Sequence, residues 1–231
     1  GAAADDEVSL WLNTQTWAIL SGVSDPERTR QIRDIVEKRL KTDMGYVLFD
    51  PPFKRFRPDI GYYSNIIPRQ WNYIHANAFK FAAECEGGFG DAAYKTLSLI
   101  LPINHDPDKT RAEPYTFPNY YVTDDHERMG RSLFGWFTAT CSWVFTAILE
   151  GMMGIRPGYD GLMIRPCFPR KWKEASAEVN LRGARYRLTV RNPDGREFGI
   201  RKLLLDGREV PTNEKIQYAP AGATRHIEAH L

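Results

Sequence analysis

Apolar positions in the first three-quarters of the chain recur mostly at helical spacing. Between residues 10 and 20 they fall at Leu10, Leu12, Trp17, Ala18, Ile19 and Leu20, dense enough for a buried helix that Gly22 ends. Ser24-Asp25-Pro26-Glu27 then reads as a capping box opening a second helix. In that helix Ile32, Ile35, Val36 and Leu40 share one face, while Glu27, Arg28, Arg30, Arg33, Glu37 and Lys38 cover the other. Residues 43–68 hold four prolines and no helical period, which predicts a long functional loop. Further helices are expected over 69–86, ending at Gly87-Gly88, and over 90–101, stopped by Pro102. A second long loop, 102–129, precedes an apolar and aromatic stretch, 130–153, that reads as a buried helix.

The period changes to two after Trp172. Glu178–Leu181, Arg185–Arg191 and Lys202–Leu205 read as strands, with turns at Asn192-Pro-Asp-Gly195 and Asp206-Gly207. The expected fold is therefore mainly α: part of an α/α toroid over 1–170, then a small antiparallel β unit over 171–231.

Composition narrows the function classes. Of 231 residues, 42% are apolar and 26% charged, with a net charge of +2, which is a globular balance with no basic surplus pointing to nucleic acid or an anionic membrane. No apolar run approaches the roughly 20 residues of a membrane span. The N-terminus lacks the basic and apolar regions of a signal peptide. Cys85, Cys141 and Cys167 are widely spaced and odd in number, which argues against a disulfide framework or zinc site and favours the cytoplasm. Aromatics reach 13% and concentrate between residues 46 and 145, a composition that suits either sugar stacking or a large aromatic core.

Three places could carry chemistry. His75, directly after the proline loop, is either an anion-binding imidazole or a satisfied core residue. Thr138 and Thr140 either offer donors to an anion at a helix start or bond back to their own helix. Glu113, Tyr115 and the acidic run Asp124-Asp125-His126-Glu127 lie in the second loop, as carboxylates for glycosidic chemistry, metal ligands or plain solvated charges. No metalloprotease, nucleophile-elbow, phosphate-loop or dinucleotide motif is present.

Six strings in order carry a resemblance: Leu12-Asn-Thr-Gln-Thr-Trp-Ala-Ile-Leu-Ser-Gly22, Tyr73-Ile-His-Ala, Gly88-Phe-Gly-Asp-Ala-Ala, Glu113-Pro-Tyr, Gly135-Trp-Phe-Thr-Ala-Thr, and Gly154-Ile-Arg-Pro-Gly-Tyr-Asp-Gly-Leu162 with Ile164-Arg-Pro-Cys-Phe-Pro169. Together they resemble the C-terminal part of glycoside hydrolase family 94, which contains cellobiose, chitobiose and cellobionic acid phosphorylases. The resemblance implies the second half of an (α/α)6 barrel followed by a β part. It implies inverting phosphorolysis of a β-glucoside, releasing α-glucose 1-phosphate, with inorganic phosphate as co-substrate and no cofactor or metal.

It also implies roles. His75 and Thr138 would bind phosphate with the amide of Ala139, where the family usually has Gly. Gln15, Tyr62, Arg69, Glu113 and Tyr115 would meet the sugars. The family's general-acid Asp belongs to an upstream motif absent here, so the chain alone is expected to be inactive. It would work with an N-terminal half or as a homo-oligomer. Pro68 and Arg69 replace the family's usual Glu and its neighbour; with Lys54, Arg55 and Arg57 nearby, Arg69 either serves a carboxylate-bearing acceptor such as cellobionate supplies or is a surface residue at a helix start. A non-catalytic carbohydrate-binding fragment and a toroid hydrolase remain as alternatives.

Overall fold

The computed structural model describes residues 10–54, 56, 58, 71–123 and 127–231. It corrects the mainly-α expectation. The chain is 33% helix and 28% strand, and the strands form five sheets among the described residues. Most of the missed strands are segments of two to four residues, some in the presumed loops and some, such as Leu10–Trp11, Asn72–Tyr73 and Ser132–Gly135, inside stretches read as helices. Segments this short have no readable alternation.

Packing groups the described residues within 1–83 and 95–144 as one unit, and those within 84–94 and 145–231 as another. In the first unit, helix Leu12–Leu20 buries Leu12, Thr16 and Ile19 and ends at Ser21, with Gly22 at φ +73°. Helix Pro26–Leu40 starts one residue later than a Ser24 cap would place it. Asp25 is the N-cap, accepting from the Arg28 amide at 2.7 Å, and Pro26 fills the first helical position. Ser24 instead meets the carbonyl of Ala18 and the hydroxyl of Thr29. Ile32, Val36 and Leu40 face a core shared with Tyr46, Val47, Leu48 and Phe49.

A buried amide ties this core to helix Ile74–Glu86. Asn77 accepts from the Tyr46 amide at 2.7 Å and donates to the carbonyls of Tyr46 and Tyr73, each at 2.9 Å. Gly45 permits that approach: a Cβ there would lie 2.9 Å from Asn77 Oδ1, and its φ is +119°. Tyr46 also donates to Glu37, which pairs with Lys95 and Lys41.

The stretch 130–153 is not a continuous buried helix. Ser132–Gly135 is a strand, Thr140–Thr146 an α-helix, and Ala147–Met152 a π-helical turn. Phe134 and Trp136 have φ of +55° and +67°, which no helix accommodates. Phe134, Trp136, Phe137 and Phe145 are exposed.

In the second unit the β region is a mixed, not an antiparallel, sheet. Glu174–Leu181 and Ala184–Arg191 form a hairpin, and Ala184–Arg191 then runs parallel to Thr224–His230. The hairpin Lys202–Leu205 and Arg208–Val210 lies in the crossover between these two and completes the sheet on the far side of Thr224–His230. Its inner face buries Tyr186, Leu188, Val190, Leu203, Ile227 and Ala229. Among the described residues no helix is long and apolar enough to cross a membrane.

Candidate functional site

A three-stranded antiparallel sheet places the three motifs of the first unit. Asn72–Tyr73 leads into His75, Pro118–Tyr121 follows the Glu113-Pro-Tyr115 loop, and Ser132–Gly135 leads toward Thr138. Pro118–Tyr121 lies in the middle, with Tyr73 opposite Tyr120 and Pro118 opposite Gly135. Motifs far apart in the chain thus share one sheet, and strand pairing fixes their relative register.

His75 sits in the first turn of helix Ile74–Glu86. Its Nδ1 is 3.3 Å from the Tyr73 hydroxyl, while its Nε2 is buried with no hydrogen-bond partner among the described residues. Phe79, one turn on, packs on the imidazole at 4.6 Å between ring centroids. Burial lowers the His75 pKa and favours the neutral ring.

Phe79 in turn meets Trp143 at 4.6 Å, and Trp17 touches both rings at 5.4 and 6.1 Å. Trp143 lies in the helix that Thr138 leads into. The Thr138 hydroxyl accepts from the Thr140 amide at 3.1 Å and lies 2.6 Å from the Thr140 hydroxyl. Thr140 is fully buried. Ala139 is exposed, and its carbonyl accepts from the Trp143 amide, which starts the helix. The Thr138 hydroxyl is therefore bonded to its own helix start. If Thr140 O–H donates to Thr138, the Thr138 proton is left for an outside acceptor.

Glu113 and Tyr115 meet a residue the sequence did not single out. Trp136 Nε1 donates to Glu113 at 3.3 Å and its ring lies 6.2 Å from Tyr115. Tyr115 and Trp136 are 75% and 68% exposed, so this is an open aromatic pair beside a carboxylate. Two left-handed aromatic residues, Phe134 and Trp136, flank Gly135, a backbone strain often found at ligand sites.

Gln15 goes elsewhere. It lines a groove of about 430 Å³ with Thr14, Ala18, Arg28, Gln31 and Ile35, between the first two helices. At 100° per residue it is about 200° around the helix from Trp17. Tyr62, Arg69, Arg55 and Arg57 lie outside the described residues, as do Asp124, Asp125 and His126. Residues that sequence reasoning passed over here are Tyr73, Phe79, Trp143 and Trp136. The i, i+4 spacing of His75 and Phe79 was the one available signal.

The model of the glycosyl hydrolase 94 superfamily catalytic domain matches residues 1–154. The chain belongs to this family. Curated relatives agree. The chain is 37% identical over 216 residues to solabiose phosphorylase of Paenibacillus borealis, covering 91% of this chain and 28% of that protein. It is 38% identical over 214 residues to 3-O-beta-D-glucopyranosyl-beta-D-glucuronide phosphorylase of the same organism, covering 90% and 28%. Cellobionic acid phosphorylase of Neurospora crassa is 33% identical over 211 residues, covering 87% and 27%. The chain thus spans a little over a quarter of the length of these relatives.

The family strings also explain glycines in the second unit. A Cβ on Gly90 would lie 1.8 Å from the Phe168 carbonyl oxygen, and one on Gly154, at φ +73°, 2.2 Å from the Arg165 carbonyl carbon. In the same unit Glu86 holds both Arg156 and Arg165 at 2.6 Å. Burial works against its charge, but the two guanidiniums outweigh it and lower its pKa. These strings serve packing.

Proposed function

We propose that the chain is the phosphate- and acceptor-binding portion of an inverting β-glucoside phosphorylase. The observation that carries this reading is the buried Nε2 of His75, without a hydrogen-bond partner among the described residues and joined through Phe79 and Trp143 to the helix start that Thr138 organises. A buried polar nitrogen without a partner is costly, and an anion supplied as substrate satisfies it. His75, Thr138 and the Ala139 amide hold the phosphate. It attacks the anomeric carbon from the face opposite the leaving oxygen, to which a general acid from outside this chain delivers a proton. The products are α-glucose 1-phosphate and the released acceptor. Tyr115 and Trp136 offer a sugar-stacking face, with Glu113 as a hydroxyl acceptor.

An acidic acceptor fits the cations at Lys54, Arg55, Arg57 and Arg69. Two of the relatives are named for acidic disaccharides, a glucuronide and cellobionic acid, which supports this choice; solabiose phosphorylase is not so named. The exposed Phe134 and Phe137 form the kind of apolar patch that another part of the enzyme, or a second copy, covers. Three free cysteines, one of them exposed, suit a reducing cytoplasm.

The test is glucose 1-phosphate release from cellobionate and cellobiose. The chain alone is expected to release none, and addition of an upstream family segment carrying the general acid restores release. Robust turnover by the chain alone, or restored turnover that ignores phosphate, overturns the reading.

A further inference from the structure

We propose that Tyr73 is a positioning residue that fixes the tautomer of His75. The inference rests on His75 being the phosphate ligand and deepens that reading. A neutral imidazole carries one N–H and one lone pair. The nitrogen presented to an incoming anion must carry the hydrogen. Here that nitrogen is Nε2, buried and without a partner among the described residues. Nδ1 must then be the acceptor, and the group facing it at 3.3 Å is the Tyr73 hydroxyl, which can donate.

Tyr73 is itself held. Its ring stacks on Tyr120 at 4.9 Å with 27° between planes, and the two residues are paired across the sheet. Its carbonyl accepts from the buried Asn77 side chain at 2.9 Å. Phe79 packs against the imidazole from the next turn. The hydroxyl is thus fixed by one strand and the imidazole by the helix that strand runs into, two residues apart. The arrangement delivers a neutral N–H donor to the anion, so binding needs no imidazolium.

The tautomer is read by ¹⁵N–¹H NMR of the ¹⁵N-histidine-labelled 231-residue chain, with His75 assigned from the spectrum of His75→Gln. The wild-type chain is expected to show His75 protonated at Nε2 with Nδ1 accepting a hydrogen bond. Tyr73→Phe, which keeps the stacked ring and removes the donor, is expected to shift His75 toward a mixture of tautomers. It is also expected to weaken inorganic phosphate binding about three- to tenfold, the loss of one neutral hydrogen bond. A wild-type His75 protonated at Nδ1 overturns the proposal, and so does a folded Tyr73→Phe with an unchanged His75 spectrum. The wild-type spectrum decides alone if the variant fails to fold. Inorganic phosphate that moves no His75 signal, with the Nε2–H tautomer present, overturns the phosphate assignment and leaves the tautomer assignment standing.

Discussion

Replacing Thr138 by Ala separates a structural role from a binding role. Its hydroxyl accepts from the amide of Thr140, a fully buried residue, so that amide cannot turn to water when the hydroxyl is gone. An unsatisfied buried donor costs about 1–3 kcal/mol, and Thr138→Ala should destabilise the chain by that amount. If Thr138 also donates to phosphate, a charge-assisted bond worth about 1.5–3 kcal/mol disappears from the complex, roughly one to two decades in affinity. Thr138→Ser keeps both bonds and should leave both quantities near wild type. Thr140→Val removes the hydroxyl 2.6 Å from Thr138 that aims it, and should weaken phosphate binding while the Thr138 bond to the amide survives. Stability is read by urea unfolding followed by tryptophan fluorescence, and affinity by orthophosphate titration in ³¹P NMR. A Thr138→Ala chain that is destabilised yet binds phosphate like wild type would reduce Thr138 to a helix-start residue and refute the reasoning.

Asn77→Ala strands the Tyr46 amide and two carbonyls in the core, and should cost on the order of 3 kcal/mol in urea unfolding; a loss under about 1 kcal/mol would mean water replaces the side chain. Glu37 is pushed down from 4.5 to about 2: burial opposes its charge, but hydrogen bonds from Lys95 and Tyr46 and the charges of Lys95 and Lys41 prevail. Its stabilising contribution is complete above 4.5 and is lost as pH falls through about 2, so Glu37→Gln should flatten the acid limb of the stability–pH curve across that window, and an unchanged limb would deny the network a role. In an enzyme completed by an upstream segment, Arg69→Ala should remove a preference for gluconate over glucose in synthesis from glucose 1-phosphate. The loss should be about 2–5 kcal/mol for a buried carboxylate left unpaired, and a variant with wild-type preference would make Arg69 an ordinary surface cation.

Much of the helical scaffold was legible in the sequence. Helices Leu12–Leu20, Pro26–Leu40 and Gly90–Ile100 follow from apolar spacing and their Gly or Pro punctuation. The Ser24 cap was misplaced because two good capping residues adjoin, and Pro26 settles which is used. The stretch 130–153 was misread because an apolar run looks alike whether it is a buried helix or an exposed aromatic segment. Only the left-handed Phe134 and Trp136 tell them apart, and no local residue preference announces them. The parallel pairing of Ala184–Arg191 with Thr224–His230 is non-local and leaves no trace in periodicity. At the candidate site, His75 and Thr138 were nominated by their places at helix starts, and the family strings added the phosphate role proposed for them. Their connection through Phe79 and Trp143, and the Trp136–Glu113 contact, depend on a sheet whose strands are too short to read.

The central claim is that His75 and Thr138 form an anion site, and orthophosphate binding by the 231-residue chain tests it most directly. Isothermal titration of the wild type, His75→Ala and Thr138→Ala should give saturable binding that each variant weakens by about one to two decades, the loss of a charge-assisted hydrogen bond. Folded variants that bind phosphate as the wild type does would contradict the claim.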